Sequence, residues 1–277
     1  MAIRVVMLGD IVGDPGVNAV SQLLPRIRQQ WRPDLVIANA ENAADGSGLT
    51  PRLYARLRSA GVDGMTLGDH VYRRMQIART LDSEDRLIRP ANLPVDATGR
   101  TWMRLPLPGG DDRGLFVMTV LGRIFVSLPS DNPFEAVDRT LGQLPELQPL
   151  LLVEVHAEAT SEKIALGHHL DGRACAVIGT HTHVATADAR ILPHGTAFIS
   201  DLGMCGPHDS IIGRRVDRVL SQMTTAMPAP FDVAVGDPRV CGVFLEIDES
   251  RRVATAIERI ELQADPHAPP FGQVDGA

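Results

Sequence analysis

The chain predicts an α/β fold built on parallel strands, and three observations carry that prediction. Short apolar, β-branched runs alternate with segments whose apolar residues recur at helical spacing. Most of these runs stop at a glycine, acid, amide or histidine. Several helical segments are bounded by proline or a capping hydroxyl. A strand over 3–8 ends in Gly9-Asp10. A helix over 17–31 follows, with Val17, Val20, Leu23, Leu24 and Ile27 on one face and Pro33 beyond its end. The strand over 35–38 runs into Asn39-Ala40-Glu41-Asn42. Thr50-Pro51 supplies an N-cap and first-turn proline for a helix over 52–60. The strand over 62–67 ends in Gly68-Asp69-His70.

The middle, from about 87 to 130, is less regular, with strand-like runs at 114–120 and 123–128. Beyond it the pattern predicts a helix over 133–144, a strand over 150–155 ending in His156, and a helix over 160–168. Strands at 174–178 and 196–200 follow, then a helix near 214–223 and strands at 231–235, 240–247 and 253–260. Residues 1–263 are expected to form one domain, and the proline- and glycine-bearing segment from 264 to 277 a frayed tail.

Composition narrows the function classes. The sequence has 277 residues, a net charge of −7, 44% hydrophobic and 22% charged residues, which fits a soluble globular protein. The acidic balance argues against an extended nucleic-acid surface but not against a small anionic substrate held through metal ions. No apolar run approaches the roughly 18–20 residues of a membrane span. The first residues enter a strand without a signal-peptide pattern. Cys175, Cys205 and Cys241 are scattered and odd in number, which supports neither a disulfide framework nor a thiolate zinc site. A cytoplasmic location is expected. Lys163 is the only lysine among 27 basic residues, a bias read here as genomic.

The chemistry concentrates at strand ends. His181 and His183 follow the strand at 174–178, and residues i and i+2 of an extended segment point the same way. Two imidazoles could thus be offered to one point, and imidazole is a common transition-metal ligand. Asp10, Glu41 with Asn42, Asp69 with His70, and His156 each follow another predicted strand. In open α/β sheets, ligands bind outside the carboxyl ends of strands. Three acids, one amide and three imidazoles suit two divalent ions about 3.5–4 Å apart, with Glu41 as the bridging candidate. Mixed oxygen and nitrogen donors favour Fe, Mn, Zn or Co over Ca or Mg. His168, His169, His194 and His208 fall outside this pattern.

The blocks Gly9-Asp10-Ile11-Val12-Gly13, Asn39-Ala40-Glu41-Asn42-Ala43-Ala44, Leu67-Gly68-Asp69-His70, His156-Ala157-Glu158-Ala159-Thr160-Ser161-Glu162-Lys163 and Gly179-Thr180-His181-Thr182-His183-Val184 resemble the YmdB-like branch of the calcineurin-like metallophosphoesterases. The similarity runs from Ile3 to about Leu262 and includes Thr186-Ala187-Asp188 and Asp201-Leu202-Gly203-Met204. It implies a four-layer α/β/β/α sandwich around a dinuclear centre. One ion would be held by Asp10, Glu41, Asn42 and His183, the other by Glu41, Asp69, His156 and His181. Iron is the metal the family suggests first. His70 would be the general acid, and the attacking group a hydroxide bridging the ions. The implied substrates are small phosphodiesters, with 2′,3′-cyclic nucleotides foremost, and a homo-oligomer is the implied assembly. The broader superfamily carries Asp-x-His at the first strand; this chain has Asp10-Ile11-Val12, and Asn42 fills the gap. The family usually carries Asn where this chain has Asp69, which adds a negative charge. Rival expectations are a metal-dependent phosphomonoesterase or protein phosphatase, and a metal-stabilised regulatory protein with a vestigial site. An amidohydrolase would instead place its His-x-His at the first strand.

Overall fold

In the computed structural model, which describes residues 2–110, 113–146 and 148–267, the alternation becomes two mixed sheets packed face to face. The first stretch holds β1 (Ala2–Leu8), β2 (Asp10–Ile11), α1 (Gly13–Trp31), β3 (Leu35–Asn39), α2 (Pro51–Ala60), β4 (Gly64–Thr66), α3 (Ala78–Ser83) and β5 (Leu87–Ile88). The middle holds β6 (Trp102–Pro106), β7 (Gly114–Leu121), α4 (Pro133–Leu141), β8 (Leu151–His156), α5 (Thr160–His169), β9 (Ala176–Thr180), β10 (Arg190–Ile191) and β11 (Ala197–Ile199). The last stretch holds β12 (Met204–Asp209), α6 (Val216–Thr225), β13 (Gly236–Asp248) and β14 (Val253–Gln263).

In the first sheet β1, β3, β4 and β5 run parallel. The long β13 lies antiparallel to both β1 and β12, which share one of its edges end to end, and β14 covers its other edge. In the second sheet β7, β8, β9 and β11 are parallel, with β6 and β10 antiparallel at the two edges.

Strand alternation sorts the apolar residues into three cores. Val6, Leu8, Val36 and Ala38 face Val17, Val20, Leu24 and Ile27 of α1 and Leu57 of α2. The opposite face of those strands, with Val5, Met7 and Ile37, packs on Leu115, Val117, Leu152 and Ile178 of the second sheet. The outer face of the second sheet, with Phe116, Val153 and Val177, is covered by Val137 of α4 and Leu166 of α5. Helix, sheet, sheet, helix is therefore the layer order, as the resemblance implied.

Several elements differ from the sequence expectation. Helix α1 begins at Gly13 rather than residue 17, because Pro15 falls in the first turn, where no intrahelical N–H is required. Residues 123–128 form no strand: Phe125 takes φ 64°, and Ile124 and Phe125 are exposed. The backbone N–H groups of Arg123 and Ile124 donate to the Glu162 carboxylate instead. Residues 231–235 make only an isolated bridge between Val233 and Arg214. Conversely, β12 is not expected from the sequence, because Gly206-Pro207 reads as a loop. Pro207 is tolerated since β2 pairs only with Met204 and Cys205, leaving the far half of β12 without a neighbour on that edge. Thr50 caps α2 as expected, its hydroxyl accepting from the Leu53 N–H. Ordered chain continues past 263: Ala264 is buried and donates to the Pro238 carbonyl. Residues 268–277 of the expected tail lie outside the described residues.

Candidate metal centre

The carboxyl ends of strands from both sheets meet at one rim. On β3, Leu35 and Ile37 face the opposite sheet, so Asn39 does too; parity likewise brings Glu154 and His156 of β8 and Thr180 of β9 to the inter-sheet side. These four form a buried polar layer below the rim. Glu154 Oε1 accepts from Asn39 Nδ2 at 2.7 Å and from Thr180 Oγ1 at 2.6 Å. Thr180 Oγ1 lies 3.0 Å from His156 Nδ1, which turns Nε2 of that ring upward. Burial pushes the Glu154 carboxyl above its ordinary pKa.

Above this layer His156 Nε2 sits 3.1 Å from Glu41 Oε1, 3.1 Å from Asp69 Oδ1 and 3.0 Å from His181 Nδ1. Glu41, Asp69, His156 and His181 each offer a donor atom within 4.8 Å of the others, a group that could hold a metal ion. Glu41 is placed by its backbone N–H donating to Asn39 Oδ1 and by Oε2 accepting the His70 N–H. The turn carrying Asp69 needs glycine at 68, where a Cβ would lie 2.4 Å from Glu41 Oε2.

The other predicted residues lie alongside. Asp10 is fully buried; Oδ2 accepts the His181 N–H at 3.1 Å, while Oδ1 has no hydrogen-bond partner. A buried, unpartnered carboxylate oxygen is costly unless a cation or proton joins it. Asn42 Nδ2 lies 3.1 Å from Glu41 Oε1 and 3.2 Å from His183 Nε2, and its oxygen accepts from His70 Nδ1 at 2.9 Å. The amide nitrogen thus faces Glu41 and His183, and the oxygen, the atom an ion would use, faces His70.

The extended-strand picture of His181 and His183 does not hold. Strand β9 ends at Thr180, and the two histidines take φ 99° and 65°. Period-2 alternation is lost in that turn and the rings diverge, His181 toward His156 and Asp69, His183 toward Asn42. Positive φ at non-glycine residues costs about 1–3 kcal/mol each, so the turn needs anchoring. Asp201 supplies it: Oδ2 accepts from the Thr182 N–H at 3.0 Å and the Thr182 hydroxyl at 2.9 Å. Lys163 Nζ pairs with the same oxygen at 2.7 Å, and both partners are buried.

Each imidazole has its outer nitrogen engaged; the inner nitrogens of His156 and His181 turn to the carboxylates, and that of His183 to the Asn42 amide. His183 Nδ1 donates to the Ile212 carbonyl, His181 Nε2 lies 3.2 Å from Glu158 Oε2, and His156 Nδ1 meets Thr180. An outer acceptor fixes the tautomer that leaves the inner lone pair free for an ion. Burial alone would raise the Glu41 and Asp69 pKa values, but the facing histidines outweigh it and hold both carboxyls low. Burial raises Asp10, with His183 and His156 opposing. His70 lies 3.4 Å from Glu41 Oε1 through Nδ1. Its pKa is raised: burial acts downward, but Glu41 and Asp69 prevail.

Sequence reasoning gave no role to Asn39, Glu154, Thr180, Lys163 or Asp201. A lone acid inside the apolar run Leu151-Leu152-Val153-Glu154-Val155 was the available signal for Glu154. The solitary lysine was the signal for Lys163. His169 pairs with Asp138 and His194 with Asp171, both away from the rim. His208 does not line the cavity; its Nδ1 lies 3.0 Å from the Gly206 carbonyl oxygen.

A cavity of about 550 Å³ opens over the cluster, lined on one side by Glu41, Asn42, His70, His181 and His183 and on the other by apolar side chains. A family model described as YmdB-like protein matches residues 6–260. The chain belongs to the YmdB-like family. A Bacillus subtilis relative of that family, named 2′,3′-cyclic-nucleotide 2′-phosphodiesterase, is 40% identical over 262 residues, covering 95% of this chain and 98% of its own. A Mycoplasma pneumoniae relative named putative phosphatase/phosphodiesterase is 33% identical over 95% of this chain and 94% of its own. The crystal structure of a hypothetical protein from Thermus thermophilus superposes with a TM-score of 0.88 at 45% identity, covering 95% of this chain and all of that one. The YmdB-like assignment thus spans both sheets and every residue of the rim. Among the described residues, no helix is long and apolar enough to cross a membrane.

Proposed function

We propose that this chain is a metal-dependent phosphodiesterase acting on small phosphodiesters, with 2′,3′-cyclic nucleotides as the substrate class. The observation that carries the reading is the cluster of Glu41, Asp69, His156 and His181 at the meeting of two sheets, in a family with a relative named for that activity. The donor set fits metal: three imidazoles turn an inner nitrogen to the rim, and one buried oxygen of Asp10 has no hydrogen bond. Glu41, Asp69, His156 and His181 would hold one ion. Asp10, Glu41, His183 and Asn42 would hold a second, Asn42 by turning its oxygen away from His70. Iron is the first candidate, with manganese, zinc or cobalt as alternatives. Bound divalent ions supply charge neutralisation for the phosphate and a water of lowered pKa.

The chain's own contribution is positioning and proton transfer. Glu154, Thr180 and Asn39 set the His156 ring; Asp201 sets the turn that carries His181 and His183. His70 lies at the cavity wall, partly exposed, with Glu41 and Asp69 favouring its protonated form. That suits it to protonate the departing alkoxide as general acid. Measuring turnover of 2′,3′-cyclic AMP alongside elemental analysis of the purified protein tests the reading. Wild type should contain metal and hydrolyse the diester, Glu41→Ala should lose both, and His70→Ala should lose about 10²-fold or more of turnover while keeping metal. Equal turnover in all three proteins would sink it.

A further inference from the structure

The cavity has two unlike walls. Opposite the carboxylates and imidazoles stand Val184, Ile212, Val219, Met223 and Phe231, contributed by the chain after β9, by α6 and by the segments flanking it. Val184, Ile212, Met223 and Phe231 are 58%, 53%, 74% and 43% exposed. Contiguous exposed apolar side chains rimmed by polar groups mark a binding surface. This one is continuous with the cluster, so it faces whatever is bound there. Arg214 pins the wall in place. Its guanidinium donates to the carbonyls of Asp45, Gly46 and Phe231, tying the loop after β3 to the Phe231 segment.

A diester whose phosphorus sits at the cluster must lay its organic portion along the cavity, and the apolar wall is the surface available to it. The polar side chains lining that side are already engaged. Thr182 donates to Asp201, Glu158 faces His181, and the Arg214 guanidinium is held by three carbonyls. That leaves one half-exposed acceptor, the second oxygen of Glu158, and no free side-chain donor among these three to pair with the edge of a base. The geometry points to a nucleobase shelf, formed by Phe231, Met223, Ile212 and Val184, that accepts a planar base by stacking and apolar contact without discriminating among bases. This rests on the phosphodiesterase reading for its substrate and adds where the base lies and how it is selected.

The test uses manganese-loaded full-length protein. Values of kcat/KM are compared for 2′,3′-cyclic AMP, 2′,3′-cyclic CMP and ethylene phosphate, a cyclic diester with neither sugar nor base. The shelf predicts that the two nucleotides differ by less than about tenfold. It further predicts that Phe231→Ala costs the nucleotides about tenfold more than it costs ethylene phosphate, as expected for loss of one base–aromatic contact. Phe231→Trp should restore the nucleotide rate. Equal losses on nucleotides and ethylene phosphate, or a hundredfold preference between the two bases, would overturn the proposal. A second arm measures equilibrium binding of 3′-AMP and of inorganic phosphate. Should the wild type hydrolyse no diester, the phosphodiesterase reading fails by itself. The shelf then stands only if Phe231→Ala weakens 3′-AMP about tenfold relative to phosphate, and falls if both weaken alike. A variant that changes sedimentation but not these ratios would assign the wall to a second copy of the chain, and also overturns the proposal.

Discussion

Lys163 shows how much a single side chain can carry in this protein. It is buried on α5, pairs with buried Asp201, and through that carboxylate reaches Thr182, the residue between the two rim histidines. Removing one member of a buried ion pair strands the other charge without solvent, which costs far more than an exposed pair is worth. Lys163→Met should therefore lower stability by about 3–5 kcal/mol in urea unfolding, whereas Arg252→Met on the surface should change it by less than about 0.5 kcal/mol. Comparable midpoints for the two variants would remove Lys163 from its anchoring role. The arginine bias of the sequence gains a second meaning here. The one lysine of the sequence stands where its slim stem passes 3.0 Å from the position a Cβ on Gly179 would take.

The elements around the centre are held by equally local devices. Gly179 lies within β9 where a Cβ would fall 1.7 Å from the Ser200 carbonyl oxygen. Gly179→Ala must push apart the chain after β11 and β9, and should cost about 3 kcal/mol or more in thermal or urea unfolding; a variant as stable as wild type would contradict the packing described. The β10–β11 turn is fastened by Asp171, whose side chain is only 5% exposed and accepts from the backbone N–H and ring Nδ1 of His194. Burial acts to raise its pKa, but these hydrogen bonds hold it below the ordinary 3.8. A depressed folded pKa means the stabilisation is present above 3.8 and is lost as pH falls through the folded value. Asp171→Asn should cost about 1–2 kcal/mol at pH 7, and the gap from wild type should close below pH 3.8 in a pH series of unfolding curves. A gap constant with pH would assign the effect to shape rather than charge. At this scale the sequence was most legible where periodicity ran long, as in α1 and the apolar strands β1, β3, β7 and β8. It was least legible where pairing is decided by distant chain. Strand β12 exists because β13 and β2 are there to receive it, and residues 123–128 are apolar yet find no strand partner. The rim residues were legible because each follows a strand with its own apolar signature. The layer beneath them was not, because Glu154 and Thr180 act only through parity across two sheets.

At the scale of the whole molecule, the centre belongs to neither sheet alone. Asp10, Glu41, Asn42, Asp69 and His70 come from the first, and His156, His181 and His183 from the second. An ion bound among them would link the two sheets across the inter-sheet core. Ligands that bind only the native state raise its stability by mass action, about 2.7 kcal/mol at a hundredfold excess over Kd. Stripping metal with a chelator should lower the melting temperature by roughly 5–10 °C, and re-addition of manganese should recover it; an unchanged melting temperature would argue against a metal held by both sheets.

The pairing of β1 with β13 carries a further consequence, one that concerns time rather than space. Ala2 lies opposite Asp248 and Leu8 opposite Gly242, and Asp10 is seated by Met204 of β12, itself registered against Pro238 and Arg239 through Pro207 and Gly206. During synthesis the second sheet, β6 to β11, is complete once Ile199 has left the ribosome. The first strand made must wait for nearly the last. Non-local pairing of this kind forms late and slowly. A nascent chain halted before Gly236 would hold every rim residue in its sequence, yet lack β13, the strand against which both β1 and β12, on either side of Asp10, are registered.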